Sequence, residues 1–234
     1  MAAPFDTVRL IGPPAADGEY VALADDEVVH LHDYPRIYAV PGLYEHIVQD
    51  LLQCRSPQVV AEAFLRLAPD PAALTVLDFG SGTGLVGELL RSGGATRVIG
   101  VDALPAARDA CLRDRPTTYS DYLLGDLAST TDPLLPQLRA HHPTALISAG
   151  AFGGTHAPPA ALLNALSLLP PNAPFALTIH EQWLDPSDQD GFGPAIADLL
   201  DRGDLVLTER TRFLHRLTTT GAPIFYELLA GAIR

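Results

Sequence analysis

The segment Asp78–Leu90, DFGSGTGLVGELL, combines an acidic residue with closely spaced glycines. Gly80, Gly82 and Gly84 are each separated by one residue. They lie between an apolar segment, which predicts a strand, and a segment that predicts a helix beginning at Leu85. Glycine lets the backbone approach a ligand closely because no Cβ stands in the way. The segment therefore predicts a cofactor-binding loop at the carboxyl edge of a sheet.

The same glycines fit two kinds of nucleotide-like cofactor. Counted from Gly82, G-T-G-L-V-G matches the fingerprint of a nicotinamide or flavin dinucleotide site, with Gly87 as its last glycine. Counted from Asp78, the alternating glycines suit a cofactor with an ammonium group, which a carboxylate attracts, whereas it repels a pyrophosphate. We favour the second interpretation, and we expect Gly87 to pack the helix against the sheet.

Two further acids follow predicted strands. Asp102 ends the segment VIGVD, where a carboxylate can accept hydrogen bonds from both hydroxyls of a ribose. Asp126 lies in LLGDL, where it can accept a hydrogen bond from the exocyclic amino group of adenine. Either acid alone could equally cap the following helix, but together, after this loop, they favour ligand contact.

From Pro71 onward, short apolar segments alternate with helix-length segments, which predicts βαβ crossovers and a parallel sheet. The last two apolar segments are long and separated only by residues 218–222, so we expect them to pair as an antiparallel hairpin at one edge. The predicted strands are 74–79, 97–101, 119–124, 144–148, 175–179, 205–217 and 223–233.

The N-terminal part has a different pattern. Apolar residues from Leu43 to Leu67 recur at spacings of three and four, which predicts amphipathic helices interrupted at Ser56-Pro57, with Ser56 as a helix cap. Residues 1–33 predict a loosely structured arm or a short strand pair. We expect residues 1–70 to form an N-terminal arm and helical cap, or lid, and residues 71–234 to form the cofactor-binding core.

Taken in order, VLDFGSGTG, VIGVD, LLGDL and ALISAGAFG make residues 34–234 resemble a class I S-adenosylmethionine-dependent methyltransferase. The resemblance implies an α/β fold: a Rossmann-like, seven-stranded, mostly parallel sheet with a C-terminal antiparallel hairpin, helices on both faces and an N-terminal helical cap. It also implies S-adenosylmethionine as the cofactor. The residues expected to bind it are Asp78, Gly80, Ser81, Gly82, Gly84, Asp102, Ala103, Gly125, Asp126, Leu127 and Ala149.

Methyl transfer from a sulfonium is an in-line displacement, so the enzyme must align the acceptor and remove its proton if it has one. We expect the acceptor over the ends of the fourth and fifth strands. His156 and His180 are candidate general bases because imidazole titrates near neutral pH, although a structural role for each is the commoner alternative. Glu181 is a third candidate, and Phe152 and Trp183 are candidate acceptor contacts.

The segment 32–46, HDYPRIYAVPGLYEH, contributes Tyr34, Tyr38 and Tyr44. In the resembling family this region often forms a lid over cofactor and acceptor, so we expect these rings to line the acceptor pocket, with simple packing as the equal alternative. His30, His32 and Asp33 have the composition of a metal site. Without a second ligand cluster at fixed spacing, we expect exposed loop residues there and no metal.

Composition narrows the partners. The 28 acidic and 15 basic side chains give a net charge of −13, which disfavours nucleic acid and anionic membranes. No Asn/Asp-Pro-Pro-aromatic motif follows the fourth strand, which argues against nucleic-acid bases as acceptors. No apolar segment reaches the ~18 residues of a membrane span, no export signal is seen, and Cys54 and Cys111 are isolated, so we expect a cytoplasmic protein with free buried thiols.

The sequence thus predicts an S-adenosylmethionine-dependent methyltransferase with a small-molecule acceptor, as a single chain or a homodimer. Two alternatives remain open. One is an NAD(P)-dependent oxidoreductase that uses Gly82, Gly84 and Gly87 as a dinucleotide fingerprint. The other is a non-catalytic S-adenosylmethionine-binding protein, because a fold and a cofactor site do not guarantee chemistry.

Overall fold

The computed structural model describes residues 5–12, 18–23, 27–129, 131–153, 156–185, 187 and 191–234. The N-terminal region forms a small antiparallel sheet of three strands, β1 (Arg9–Ile11), β2 (Tyr20–Ala22) and β3 (Val28–His30). The predicted arm or strand pair was therefore one strand short. Strands of three residues are too short to show a period of two in the sequence.

The centre of the fold is a seven-stranded sheet. Its strands are β4 (Thr75–Phe79), β5 (Arg97–Asp102), β6 (Asp121–Leu124), β7 (Ala145–Phe152), β8 (Pro174–His180), β9 (Leu205–Leu217) and β10 (Pro223–Ile233). They lie in the order β6-β5-β4-β7-β8-β10-β9. Strands β4 to β8 are parallel, and β10 pairs antiparallel with both β8 and β9. This arrangement confirms the predicted sheet with its C-terminal hairpin.

Helices cover both faces of the sheet, as predicted. The helices are α1 (Tyr34–Tyr38), α2 (Leu43–Glu45), α3 (Ser56–Leu67), α4 (Leu85–Ser92), α5 (Pro105–Asp114), α6 (Leu134–His141), α7 (Pro159–Leu166) and α8 (Phe192–Asp201). A π-helical turn, His46–Leu51, extends α2, and 3-10 turns occupy Pro71–Ala73 and Glu181–Leu184.

Alternation along the parallel strands feeds two separate cores. Leu77 and Leu146 point to the face covered by α6, α7 and α8, whereas Val76 and Ile147 point to the face covered by α3 and α4. All four side chains are fully buried. Strands buried on both faces read as continuous apolar segments, and this is why β4 and β7 were visible in the sequence.

Helix α3 lies N-terminal to the expected boundary at residue 70, yet Val60 and Phe64 pack into the second of these cores. The division into 1–70 and 71–234 remains a prediction. Ser56 does begin this helix, but its hydroxyl does not cap it; it forms a hydrogen bond of 2.6 Å with Nδ1 of the buried His215 on β9. The Ser56 hydroxyl, which the sequence pattern predicted as a helix cap, is hydrogen-bonded to a distant residue instead.

The N-terminal region is tied to the core at several places. The amide of Arg55 donates to the carbonyl of His215, and the amide of Leu217 donates to the carbonyl of Leu52, both at 2.8 Å. Arg216 forms a two-pronged ion pair with Glu19, with Nη1–Oε1 at 2.9 Å and Nη2–Oε2 at 2.5 Å. The C-terminal hairpin therefore holds the N-terminal cap in place.

Gly231 provides a test of the hairpin packing. It lies at a register irregularity between β9 and β10, and a Cβ built on it would stand 1.9 Å from the carbonyl oxygen of Val206. Gly231→Ala should lower the free energy of unfolding by about 1–3 kcal/mol, because backbone must move to admit the methyl group. Urea unfolding measures the loss. Gly12→Ala is the matched control, since a Cβ there meets nothing within 4 Å, and an equal loss in both variants would contradict this packing.

Candidate active site

The glycine loop between β4 and α4 is held by its neighbour strand. The amides of Gly80 and Ser81 both donate to the carbonyl of Val101, at 2.8 and 3.0 Å. Gly80, Gly82 and Gly84 all have positive φ, at 72°, 52° and 92°. A Cβ on Gly80 would stand 2.2 Å from the Cβ of Ala151, so only glycine fits at that position.

Asp102 connects this loop to the end of β5. Its Oδ2 accepts a hydrogen bond from the amide of Gly82 at 3.0 Å, and its Oδ1 accepts one from the amide of Leu104 at 2.9 Å. Burial raises the pKa of this carboxyl, and these amides act in the opposite direction. Because a carboxylate oxygen can accept two hydrogen bonds, Asp102 can hold the loop and still accept from a ligand.

A cavity of about 580 Å³ opens at the carboxyl ends of β4, β5 and β7, beneath α1 and α2. This volume is within the ~300–1,000 Å³ typical of small-molecule sites. Most of the residues predicted to bind cofactor or acceptor line it. They are Gly80, Ser81, Gly82, Asp102, Ala103, Gly125, Asp126, Leu127, Ala149, Tyr34, Tyr38, Tyr44 and His156.

Asp78 is a different case, because its side chain is buried and does not line the cavity. The hydroxyl of Tyr119 donates to its Oδ2 at 2.6 Å. Burial raises the pKa of Asp78 to about 7, against the effect of the Tyr119 hydrogen bond. The expected contact with an ammonium group thus has no support in this geometry, and the carboxyl supports the protein beneath the loop.

Three other predicted residues also lie outside the lining. Gly84 begins α4, where its positive φ shapes the turn. Phe152 points into the core and stacks on Phe79 with ring centroids 4.9 Å apart. Trp183 packs against Gly153, where a Cβ would stand 2.4 Å from the indole ring. These three residues shape the segments around the cavity and do not form its lining.

Two of the three candidate catalytic residues are placed elsewhere. Glu181 is ion-paired with Arg212 at 2.5 Å, on the solvent side of the sheet edge. His180 contacts the rings of Trp183 and Tyr226, and its Nδ1 accepts a hydrogen bond from the amide of Gln182. Because β8 continues through His180 and then turns, neither side chain reaches the cavity lining.

The sequence interpretation missed part of the lining. His32, expected as an exposed loop residue, borders the cavity and stacks on Tyr34 with ring centroids 5.7 Å apart. The position of His32, two residues before Tyr34, was the sequence signal that could have placed it in the lining. The other lining residues that were not assigned are Pro57, Phe79, Thr83, Leu85, Val86, Leu104, Gly150, Ala151, Ala157 and Pro158.

The imidazole of His156 faces the hydroxyl of Tyr34, with Nε2 and Oη 3.2 Å apart. Burial lowers the pKa of His156, and a hydrogen bond from its ring to the backbone of Gly153 raises it again. In the tautomer with the ring proton on Nδ1, Nε2 keeps its lone pair and accepts the hydrogen bond of the Tyr34 hydroxyl. Burial raises the pKa of Tyr34 to about 12, so its phenol stays protonated.

Among the described residues, no three His, Cys, Asp or Glu side chains come together as a metal site. The rings of His30 and His32 lie 5.3 Å apart, and the amide of His32 donates to Nδ1 of His30 at 3.0 Å. None of the described helices has both the length and the apolar character needed to cross a bilayer. Cys54 and Cys111 are buried and free.

The family model for a methyltransferase domain matches residues 45–217, about three quarters of the chain. The chain belongs to this family. It is an S-adenosylmethionine-dependent methyltransferase, with S-adenosylmethionine as the cofactor, as the sequence predicted. Gly87 has a packing role, because a Cβ there would stand 2.6 Å from the ring of Tyr119, and the family leaves no support for the dinucleotide alternative.

Solved structures show the same fold with different stated activities. The magnesium protoporphyrin IX methyltransferase of Synechocystis with bound S-adenosylmethionine aligns with a TM-score of 0.53 and 15% identity, over 76% of this chain and 79% of that chain. A proposed RNA methyltransferase of Pyrococcus horikoshii gives 0.53 and 18%, over 77% and 87%. The ribosomal protein L11 methylase of Lactobacillus delbrueckii gives 0.52 and 15%, over 77% and 79%. A comparison with curated protein sequences gives no significant match.

The cavity fits S-adenosylmethionine. The glycine loop presents backbone to it, and a Cβ on Gly82 would stand 3.4 Å from the hydroxyl of Tyr38, across the same space. Asp102 and Asp126, both in the lining, offer acceptors for the hydroxyl and amino groups of an adenosine. Oδ1 of Asp126 accepts from the amide of Ala128 at 2.9 Å, which holds the carboxylate at the cavity edge.

Asp102→Ala should weaken S-adenosylmethionine binding by about 1–3 kcal/mol, because it removes a charged acceptor and frees the amide of Gly82. Calorimetry on the folded variant measures this change. Asp109→Ala, on the exposed side of α5, is the control with the same change of charge. An unchanged dissociation constant in folded Asp102→Ala would disprove the contact.

Asp78 predicts a pH dependence of stability. Its pKa is raised from 3.8 to about 7 on folding, so the native state binds the proton more tightly than the unfolded state. Stability from this group is therefore present below pH 4 and is lost as pH rises to about 7. Asp78→Asn should gain stability relative to the wild type across that interval and then level off. Chemical denaturation at several pH values tests it, and a constant difference would contradict the assignment.

Proposed function

We propose that this methyltransferase acts on a small-molecule acceptor held between the glycine loop and the N-terminal cap. One observation carries the proposal: a single cavity joins the glycine loop, Asp102 and Asp126 on one side to three tyrosines, His32 and His156 on the other. The first group suits the cofactor. The second group provides rings for contact and imidazoles for proton transfer.

On the cofactor side, Gly80 and Gly82 allow close approach to the backbone, Asp102 accepts from the ribose and Asp126 from the adenine amino group. Ser81, Ala103, Gly125, Leu127 and Ala149 complete that half of the lining. When bound, S-adenosylmethionine supplies a methyl group activated by a sulfonium. The Tyr38 side chain, which lies opposite Gly82 across the cavity, then separates the cofactor from solvent.

On the acceptor side, His156 serves as the general base. Its Nε2 lies 3.2 Å from the hydroxyl of Tyr34 in the cavity lining, and we assign the ring proton to Nδ1, which leaves the Nε2 lone pair free to take a proton. The lowered pKa keeps the ring neutral at neutral pH, which is the form that takes a proton. The charge of Asp102 acts on His156 and favours the imidazolium formed after proton transfer.

Some solved structures of the same fold are named for methylation of RNA or of a protein. Three features favour a small-molecule acceptor for this chain instead. The volume suits a small molecule, and the net charge of −13 repels phosphate backbones. The cap is also fastened over the site, because Oε1 of Glu45 accepts from Thr83 at 2.6 Å and from Arg115 at 2.8 Å. The two free thiols suit a cytoplasmic location, which we keep as part of the proposal.

The pH profile of methyl transfer tests the base. The rate should rise with pH through the lowered pKa of His156, below the ordinary 6.5, and be level at neutral pH. His156→Gln should lose this limb and lower kcat by about 10²–10⁴-fold, the usual effect of general-base catalysis. Binding of S-adenosylhomocysteine should be retained.

His180→Gln is the matched control, since that histidine lies outside the cavity lining and should leave the limb in place. Loss of the limb in His180→Gln and its persistence in His156→Gln would reverse the assignment.

A further inference from the structure

We propose that the acceptor is an uncharged aromatic compound methylated on a ring hydroxyl, and that the phenol of Tyr34 takes the place of this hydroxyl when no acceptor is bound. The inference rests on the proposed function and names its substrate class. It follows from three observations: the contact of Tyr34 with His156, the rings around it, and the charges of the lining.

The contact with His156 shows where the reacting hydroxyl goes. Nε2 of His156 lies 3.2 Å from the hydroxyl oxygen of Tyr34. With the ring proton on Nδ1, Nε2 has one lone pair, and it accepts the hydrogen bond of the phenol. A phenol donating to a neutral imidazole is the arrangement that precedes general-base removal of its proton. The acceptor and Tyr34 cannot both donate to the same lone pair, so the acceptor must displace the Tyr34 hydroxyl.

The surroundings of Tyr34 suit another ring. Tyr34 stacks on Tyr38 with centroids 5.5 Å apart and an interplanar angle of 21°, and Tyr44 meets Tyr38 edge-on at 5.1 Å. His32 also stacks on Tyr34, with ring centroids 5.7 Å apart. Aromatic pairs prefer these offset and edge-on geometries, so an aromatic acceptor can replace or extend the stack.

The charges of the lining disfavour an ionic acceptor. Among the described residues, the lining includes no lysine or arginine that could bind a carboxylate or phosphate. Arg216, whose charge acts on Tyr34, is held by both carboxylate oxygens of Glu19. The carboxylates of the lining, Asp102 and Asp126, lie on the cofactor side, so the acceptor side offers no carboxylate to pair with an ammonium group.

A general base at His156 assists methylation of a hydroxyl more than methylation of a thiol or an amine. A phenol with a pKa of ~10 is ionised about once in a thousand molecules at pH 7, whereas a thiol at ~8.5 ionises more readily by itself. A neutral amine attacks with its free lone pair before any proton leaves. In the step proposed, the acceptor oxygen forms a bond to the methyl carbon, the carbon–sulfur bond breaks with its electrons left on a neutral thioether, and the hydroxyl proton passes to Nε2 of His156.

A matched series of ring compounds tests the substrate class: phenol, aniline, thiophenol and benzoate. With S-adenosylhomocysteine bound, phenol should bind measurably by ligand-observed NMR, and benzoate should not. With S-adenosylmethionine, phenol should yield the methyl ether at a rate at least tenfold above the methylation of the other three. No binding of phenol, or an equal or faster rate with aniline, thiophenol or benzoate, would overturn the inference.

The failure of this inference is separable from failure of the proposed function. If aniline, thiophenol or benzoate is methylated in place of phenol, the substrate class is wrong and the small-molecule function stands. If S-adenosylhomocysteine binds but none of the four ring compounds binds or is methylated, the proposed function fails as well.

Tyr34→Phe tests the displaced hydroxyl and keeps the ring. Loss of one competing hydrogen bond, worth about 1 kcal/mol, should lower KM for phenol about fivefold and leave the affinity for S-adenosylhomocysteine unchanged. A structural tyrosine would not lower KM. Tyr20→Phe, the same change on β2 outside the lining, is the control and should leave KM unchanged. An unchanged or raised KM in Tyr34→Phe would show that the acceptor does not take this place.

Discussion

The hydrogen bond from the amide of Gly82 to the carboxylate of Asp102 joins the two elements on which the cofactor site depends. It holds the glycine loop, with its positive φ angles, against the end of β5, and it aims the carboxylate into the cavity. Thr83, the next residue, then carries the contact to Glu45 and so to the N-terminal cap. The position of the N-terminal helices relative to the glycine loop therefore rests on this short segment of backbone.

The half of the cavity formed by the glycine loop and the strand-end acids could be predicted from the sequence because its signals are local. The glycines, the buried strands and the acids at strand ends lie within about fifty residues of one another, and each has its own backbone or solvation reason. Asp78 shows the limit of such reasoning. An acid beside a glycine loop indicates a ligand contact. Only the tertiary packing shows that the Tyr119 hydroxyl donates to the Asp78 carboxylate and that the Asp78 side chain lies outside the cavity lining.

The half of the cavity beneath α1 and α2 could be predicted only in part, because long-range contacts build it. Tyr34 and His156, for example, meet across 122 residues. The sequence pointed to the tyrosines and to His156, but it gave His180 and Glu181 equal standing. Strand β7 also runs four residues beyond its expected end at Ser148, and Phe152 therefore points into the core, where it stacks on Phe79.

The ion pair between Glu19 and Arg216 joins positions 197 residues apart. Such a contact has to close a very long loop, whereas the pairing of β4 with β5 closes a short one. During synthesis, the glycine loop and Asp102 leave the ribosome well before the β9–β10 hairpin that fastens the N-terminal region. The order of assembly is thus built into the topology: a nascent chain can pair β4 with β5 first, and its cavity is enclosed only when β9 and β10 have joined the sheet.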